Sequence, residues 1–142
     1  YHIARNYLGS RRFSRSLRLT LELLREIEAG KRSTNPDFPF LVQALLGRTY
    51  HALGRLRRAR EAFEAIIPRL NKMEDEFRRA WIYIHYARCL RNLGEYDLAE
   101  KMLNKAHSLD DDYTRVILER EKFILRQRRQ AQRQPLNPEE TR

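Results

Sequence analysis

Apolar positions along the chain recur at helical spacing in paired runs, and the run from Leu45 to Pro68, LLGRTYHALGRLRRAREAFEAIIP, shows the pairing most completely. In its first half Leu46, Gly47 and Tyr50 share one helical stripe, and Gly47 has no side chain to keep a second helix at a distance. Gly54 follows the last periodic residue and supplies the left-handed conformation of a C-terminal cap. In the second half Leu56, Ala59, Phe63, Ile66 and Leu70 recur at spacings of three and four, which puts them on one apolar face, and the small Ala59 lets the two helices meet. The pattern predicts a helix, a tight turn and a second helix.

Two further stretches align on this template. Tyr86, Ala87 and Leu90 stand where Leu46, Gly47 and Tyr50 stand, followed by Gly94, Tyr96, Ala99, Leu103 and Ala106 in the same order. Near the start, Ile3, Ala4 and Tyr7 precede Phe13, Ser16, Thr20 and Leu23, with Arg11 at the turn-glycine position and Gly9 two residues early. The residues that open the second helices, Phe13, Leu56 and Tyr96, lie 43 and 40 residues apart, a period that signals stacked helical repeats.

In chain order the pattern predicts a partial hairpin over residues 1–30, with Ser10 in an N-terminal cap region and Gly30 as a stop. The polar, twice-proline-broken KRSTNPDFP predicts a loop over 31–39, and a second hairpin covers 40–72 with Asp37 as a candidate cap. Pro68 should kink or end its second helix. A third hairpin spans 74–109, its start marked by Glu74, Asp75 and Glu76, which suit the positive end of a helix dipole. A capping helix with a basic end follows over 110–133. Tyr113, Val116, Ile117, Phe123 and Ile124 form the narrow stripe expected to pack on the last hairpin. Beyond Leu125 the helix should fray, and 134–142 reads as a disordered tail.

The order of small residue, tyrosine, glycine turn, alanine and aromatic resembles the tetratricopeptide repeat family. Leu46, Gly47, Tyr50, Gly54, Ala59 and Phe63 carry the resemblance best, and Gly94, Tyr96, Ala99 and Ala106 next. Gln43 replaces the family's tryptophan, Asp111 its closing proline, and the period exceeds the usual length of about 34 residues. The longer repeat is similar to that of the kinesin light chain type. The implied fold is all-α, a right-handed superhelical solenoid of about three antiparallel helix hairpins with a C-terminal capping helix.

Composition narrows the function without naming it. The chain is 42% hydrophobic and 34% charged, with a net charge of +10 and a pI of about 10.2, which attracts acidic partners. Arginine supplies 24 of the 29 basic residues and suits planar recognition of carboxylate or phosphate. No apolar run reaches the length of a membrane span and no signal peptide is evident, so an intracellular, cytoplasmic protein without membrane contact is expected. A start inside a repeat helix without a methionine suggests a fragment. The single cysteine, Cys89, excludes an internal disulfide and reads as a small buried hydrophobe.

The resemblance implies that the first helix of each hairpin lines a concave groove. The groove-facing position then falls on Arg5, Arg48 and Arg88, each directly after a small packing residue. A turn further on are Leu8, His51 and Arg91, and a turn earlier Tyr1, Ala44 and Ile84. The expected partner is a protein with an acidic peptide or helix, held by this arginine ladder within a larger assembly, possible settings being cytoskeletal, transport or ciliary. Charge reversal at Arg48 and Arg88 should abolish binding with little change in melting temperature. The lysine and asparagine groove positions of chaperone-binding relatives have no counterpart here.

A second basic surface, Arg11, Arg12, Arg15 and Arg18 with Arg55, Arg57, Arg58 and Arg60, leaves open an RNA-associated structural role on the convex face or the basic tail. Catalysis and cofactors are not expected. His2, His51, His85 and His107 are scattered without metal-ligand spacing, no phosphate loop or nucleophile elbow occurs, and Glu61, Glu64, Glu119 and Glu121 read as surface charges.

Overall fold

The computed structural model describes residues 1–106 and 112–133; the expected end of the third hairpin, the closing position at Asp111 and the expected tail lie outside the described residues. The described residues fold into seven α-helices: α1 (His2–Gly9), α2 (Phe13–Glu28), α3 (Phe38–Ala52), α4 (Leu56–Glu64), α5 (Glu76–Asn92), α6 (Tyr96–Ala106) and α7 (Asp112–Arg133), with a 3₁₀ turn at Ile67–Lys72 after α4. The helices pair in sequence, α1 with α2, α3 with α4 and α5 with α6. The first members of the pairs, with α7, also touch one another in a row, which makes the chain an all-α repeat solenoid.

The three interhelical turns are copies of one structure. Arg11, Gly54 and Gly94 adopt left-handed φ values of 63°, 76° and 80°. The next residue's N–H reaches back five positions in each case, from Arg12 to the Tyr7 carbonyl, Arg55 to Tyr50 and Glu95 to Leu90, at 2.8–2.9 Å. The turn residue itself donates three positions back, to Leu8, His51 and Arg91. These paired bonds close the orphan carbonyls of a helix end in the Schellman arrangement. Ser10 belongs to this end of α1, its hydroxyl donating to the Tyr7 carbonyl at 3.2 Å, and not to the start of α2 as its residue type suggested.

Packing between paired helices is set by matched volumes. Gly47 lies so close to Phe63 that an added Cβ would stand 2.7 Å from the ring, and Phe63 is fully buried. In the first and third hairpins the glycine position holds Ala4 and Ala87, and the Phe63 position holds the smaller Thr20 and Leu103, all buried. The helix α4 ends at Glu64, four residues before Pro68, where a continuing helix would drive the proline ring into the Glu64 carbonyl.

Asp37 stands at the N-terminal boundary of α3 but its side chain does not cap it. The carboxylate is buried and accepts the backbone N–H groups of Glu74 and Asp75 at 2.9 and 2.8 Å, tying the approach to α5 onto the second hairpin. Asp75 in turn caps α5 by accepting the Arg78 N–H, so the helix starts at Glu76 and not at Glu74.

Helix α7 differs most from its expected packing. Thr114, Leu118, Glu121 and Leu125 are the buried residues, while Tyr113, Val116 and Phe123 are 61%, 66% and 56% exposed. Nor does the helix fray after Leu125. It runs to Arg133, because Arg128 donates to Asn92 at 2.6 Å and Arg129 bridges Asp97 and Glu100 on α6.

Candidate functional site

Helices α1, α3 and α5 together enclose an open groove of about 420 Å³. Its floor comes from Leu41, Ala44 and Leu45 on α3, which project at spacings of three and four. Its far wall is the stripe Phe77, Trp81, Ile82 and His85 of α5, and its near wall is Tyr1, just before α1, and Arg5 of α1. Arg48 enters from α3 and Arg78 from the start of α5. The aromatic groups are mutually packed: Trp81 meets Phe77, His85 and Tyr113 with ring centroids 6.3, 5.8 and 6.1 Å away. Arg88 lies over the Trp81 ring at 5.9 Å and Arg5 over Tyr1 at 5.8 Å.

Electrostatically the groove has two halves. At the α7 end, Arg88 Nε donates to Glu121 Oε1 at 2.7 Å and Arg91 to Glu121 Oε2 at 2.5 Å, so one buried carboxylate satisfies two guanidinium groups. The exposure expected for Glu121 is therefore corrected: it faces α5, where two arginines supply the counter-charge a buried carboxylate needs. At the α1 end the groove-lining Arg78 pairs with the part-exposed Asp75 at 3.5 Å. Arg48 forms no ion pair there. Burial first, and then the neighbouring Arg5 and Arg88, depress its pKa against a raising effect of Tyr1. His85 between them is held well below its usual value, by burial first and then by Arg48, Arg88 and His51. The indole Nε1 of Trp81 is buried without a hydrogen-bond partner.

Of the residues expected to face a partner, Ala44, Arg48 and Arg5 line the groove together. Arg88 and Arg91 lie at its α7 end, engaged by Glu121. His51 is removed from the open part and accepts from Asn92 Nδ2 at 2.7 Å, and Asn92 also accepts from Arg128, which links α3, α5 and α7. Burial, then Arg91 and Arg88, lower the His51 pKa. Ile84 is fully buried in the core and is not part of the wall. Stepping back four residues from Arg88 overshoots the groove toward the core, whereas steps of three and seven reach His85 and Trp81. Phe77 and Trp81 correspond to Asp37 and Leu41 in the second hairpin, so alignment of the repeats does not mark that stripe.

Outside the groove, Cys89 is buried, its thiol pushed up to about 11 chiefly by burial. Arg11, Arg12, Arg15, Arg18, Arg55, Arg57 and Arg58 are exposed, with Arg12 and Arg15 over Tyr7 and Arg58 over Tyr50, while Arg60 is paired with Glu64 and Glu95. Among the described residues no group of histidine, cysteine and carboxylate side chains could hold a metal ion, and no helix is long and apolar enough to cross a membrane.

Comparison with known proteins gives one match. The family model for the tetratricopeptide repeat covers residues 40–112, the second and third hairpins and the start of α7. No curated protein and no solved structure matches the chain. Repeats of this kind generally mediate protein–protein interactions and serve as non-catalytic scaffolds. Left-handed turns at Gly54 and Gly94, the close approach at Gly47, the stacked hairpins and the family match lead to one conclusion: this chain belongs to the tetratricopeptide repeat family.

Proposed function

We propose that the chain is a non-catalytic interaction scaffold that holds an acidic segment of a partner protein in the groove between α1, α3 and α5. The observation that carries this reading is Arg48: a half-buried guanidinium beside Arg5, His85 and Arg88, with no ion pair among the described residues. Desolvating a cation without a counter-charge is costly, and an incoming Asp or Glu relieves that cost. Glu121 supports the reading by showing what a carboxylate does one helix further along. Leu41, Leu45 and Trp81 offer an apolar neighbour of the acid a place to anchor. An intracellular setting and a cytoskeletal, transport or ciliary assembly of the kinesin light chain type are part of the proposal, supported by the long 43- and 40-residue period.

The test is titration of a fluorescent acidic peptide containing one Trp or Leu against the wild-type chain and an Arg5→Glu/Arg48→Glu variant at moderate salt. The proposal expects saturable binding that the variant loses by at least about tenfold, roughly 1.4 kcal/mol, with an unchanged melting temperature. Equal binding by both forms would sink it. Single-stranded RNA serves as the competing probe, because phosphate contacts give a steep salt dependence. RNA binding lost on neutralising Arg55, Arg57 and Arg58 would move the function to the convex face.

A further inference from the structure

The first two interhelical turns carry arginine where the third carries acid. A hydrogen bond of 3.0 Å between Ser16 of α2 and Thr49 of α3 sets the start of one outer helix beside the end of the next inner one. Arg60 of α4 reaches Glu95 of the third turn at 3.4 Å, so the three turns lie along one edge of the stack. Directly after the left-handed residue stand Arg12, Arg55 and Glu95, and two residues later Ser14, Arg57 and Asp97. The acids of the third hairpin are answered, Glu95 by Arg60 and Asp97 by Arg129 at 2.6 Å. In the first two hairpins Arg11, Arg12, Arg15, Arg55, Arg57 and Arg58 are exposed, and none has an ion pair among the described residues. Residues 1–21 and 38–60 contain no Asp or Glu. Glu61, one turn beyond Arg57 and Arg58, borders the row as a single carboxylate against six guanidinium groups.

We propose that this edge is a second docking surface, and that its occupant is an extended, acid-rich protein segment without apolar anchors. The Tyr7 ring is covered by Arg12 and Arg15 at 6.0 and 5.7 Å, and the Tyr50 ring by Arg58 at 6.0 Å. None of the large apolar side chains exposed among the described residues belongs to the edge. It therefore has no free ring on which a nucleic-acid base could stack, and no anchor for a partner helix or a bilayer. It has planar donors, which pair two at a time with a carboxylate. An acidic segment laid across the first two turns supplies from outside the carboxylates that Glu95 and Asp97 supply from within the third. The surface is separate from the groove, which Arg5 and Arg48 line and none of these six arginines does.

The experiment is a fluorescence-anisotropy titration of the full chain, at low salt, with a peptide of about ten Asp and Glu residues. At about 3.3 Å per extended residue the peptide is long enough to cross both turns. Three variants carry the same change in net charge: Arg12→Glu/Arg55→Glu on the edge, Arg5→Glu/Arg48→Glu in the groove and Arg126→Glu/Arg133→Glu at the end of α7. Glu95 already holds the altered edge position in the third turn with the same backbone hydrogen bonds, so the edge variant should melt with wild type. It should lose at least about tenfold in affinity, and the other two less than about threefold. Arg57→Asp, which copies Asp97, should weaken binding in the same direction. Equal losses on the three charge-matched variants would reduce the effect to the overall charge of the chain and overturn the proposal. An absence of saturable binding would do the same. Single-stranded RNA of about ten nucleotides that binds more tightly than the peptide, and loses affinity on the edge variant, would overturn it in favour of a phosphate backbone.

Discussion

The second and third hairpins follow one template yet treat the same position in opposite ways. Arg48 and Arg88 both come directly after the small packing residue, and both reach toward the groove. Arg88 is answered from within the molecule by Glu121, and Arg48 is answered by nothing among the described residues. The first is now part of how the solenoid holds α7, the second remains available. Repeat equivalence thus predicts where a side chain points, while its neighbours on the next helix decide whether it is paired within the fold or left open.

The comparison breaks most sharply at Glu121. Glu121→Ala leaves Arg88 and Arg91 facing each other in a partly buried site, and removal of one partner from such a network costs about 3 kcal/mol or more. Urea unfolding should show that loss, and Arg88→Glu should unfold the α7 end similarly because it sets two acids together. Arg48→Glu should not lower stability, because it removes a half-buried cation that has no ion pair among the described residues from beside Arg5 and Arg88. Equal losses at Arg48 and Arg88 would erase the distinction.

Gly47 and Ala87 sharpen it within the packing itself. Gly47→Ala drives a methyl group into the buried Phe63 ring and should cost about 1–3 kcal/mol. Adding Phe63→Leu recreates the Ala87 and Leu103 combination of the third hairpin. The double variant should be more stable than the sum of its two single changes, and a double-mutant cycle measures that coupling. Strict additivity would mean the two hairpins do not set their helix separation by this pair.

Acid should act through the unanswered half. The folded-state pKa of His85 lies below its unfolded value, so the unfolded chain binds more protons once the pH drops under about 6.5. The stability from keeping His85 neutral is fully present above that pH and is lost as pH falls toward the folded pKa, at no more than about 1.4 kcal/mol per pH unit. His85→Gln should flatten the slope. An acidic peptide beside Arg48 adds negative charge near His85 and raises its pKa, so peptide binding should tighten from pH 7 to pH 6. Binding that weakens over that range would place the peptide away from His85.

Much of the fold was legible because period and turn chemistry are local. Leu56, Ala59 and Phe63 announce a face, and Gly54 and Gly94 announce turns, whatever lies around them. The groove was half legible for the same reason: Arg48 follows from its place after Gly47. What could not be read was contact between distant segments. Nothing near Glu121 in sequence marks it as buried, since its counter-charges lie about 30 residues earlier on α5. Asp37 likewise has the type and place of a helix cap, and only the approach of Glu74 and Asp75 shows what its carboxylate binds. Val116 and Phe123 break the rule that helical apolar stripes face a core: the side of α7 buried here contains Glu121, whose carboxylate two arginines of α5 satisfy.

The smallest expected effect lies at the turns, where the first hairpin departs from the other two. Arg11 holds the same left-handed backbone as Gly54 and Gly94, and makes the same pair of hydrogen bonds, without being a glycine. A side chain in that conformation costs about 1–2 kcal/mol, and glycine returns part of the gain through its greater freedom in the unfolded chain. Arg11→Gly should therefore stabilise the protein by about 0.5 kcal/mol, and Gly54→Ala, which imposes the same strain on the second hairpin, should destabilise it by a similar or larger amount. No Cβ clash intervenes at Gly54, so the two measurements isolate backbone strain from packing. If Arg11→Gly proved neutral or harmful, the Arg11 side chain would have to contribute something the turn geometry does not contain, and the three turns would be alike in shape only.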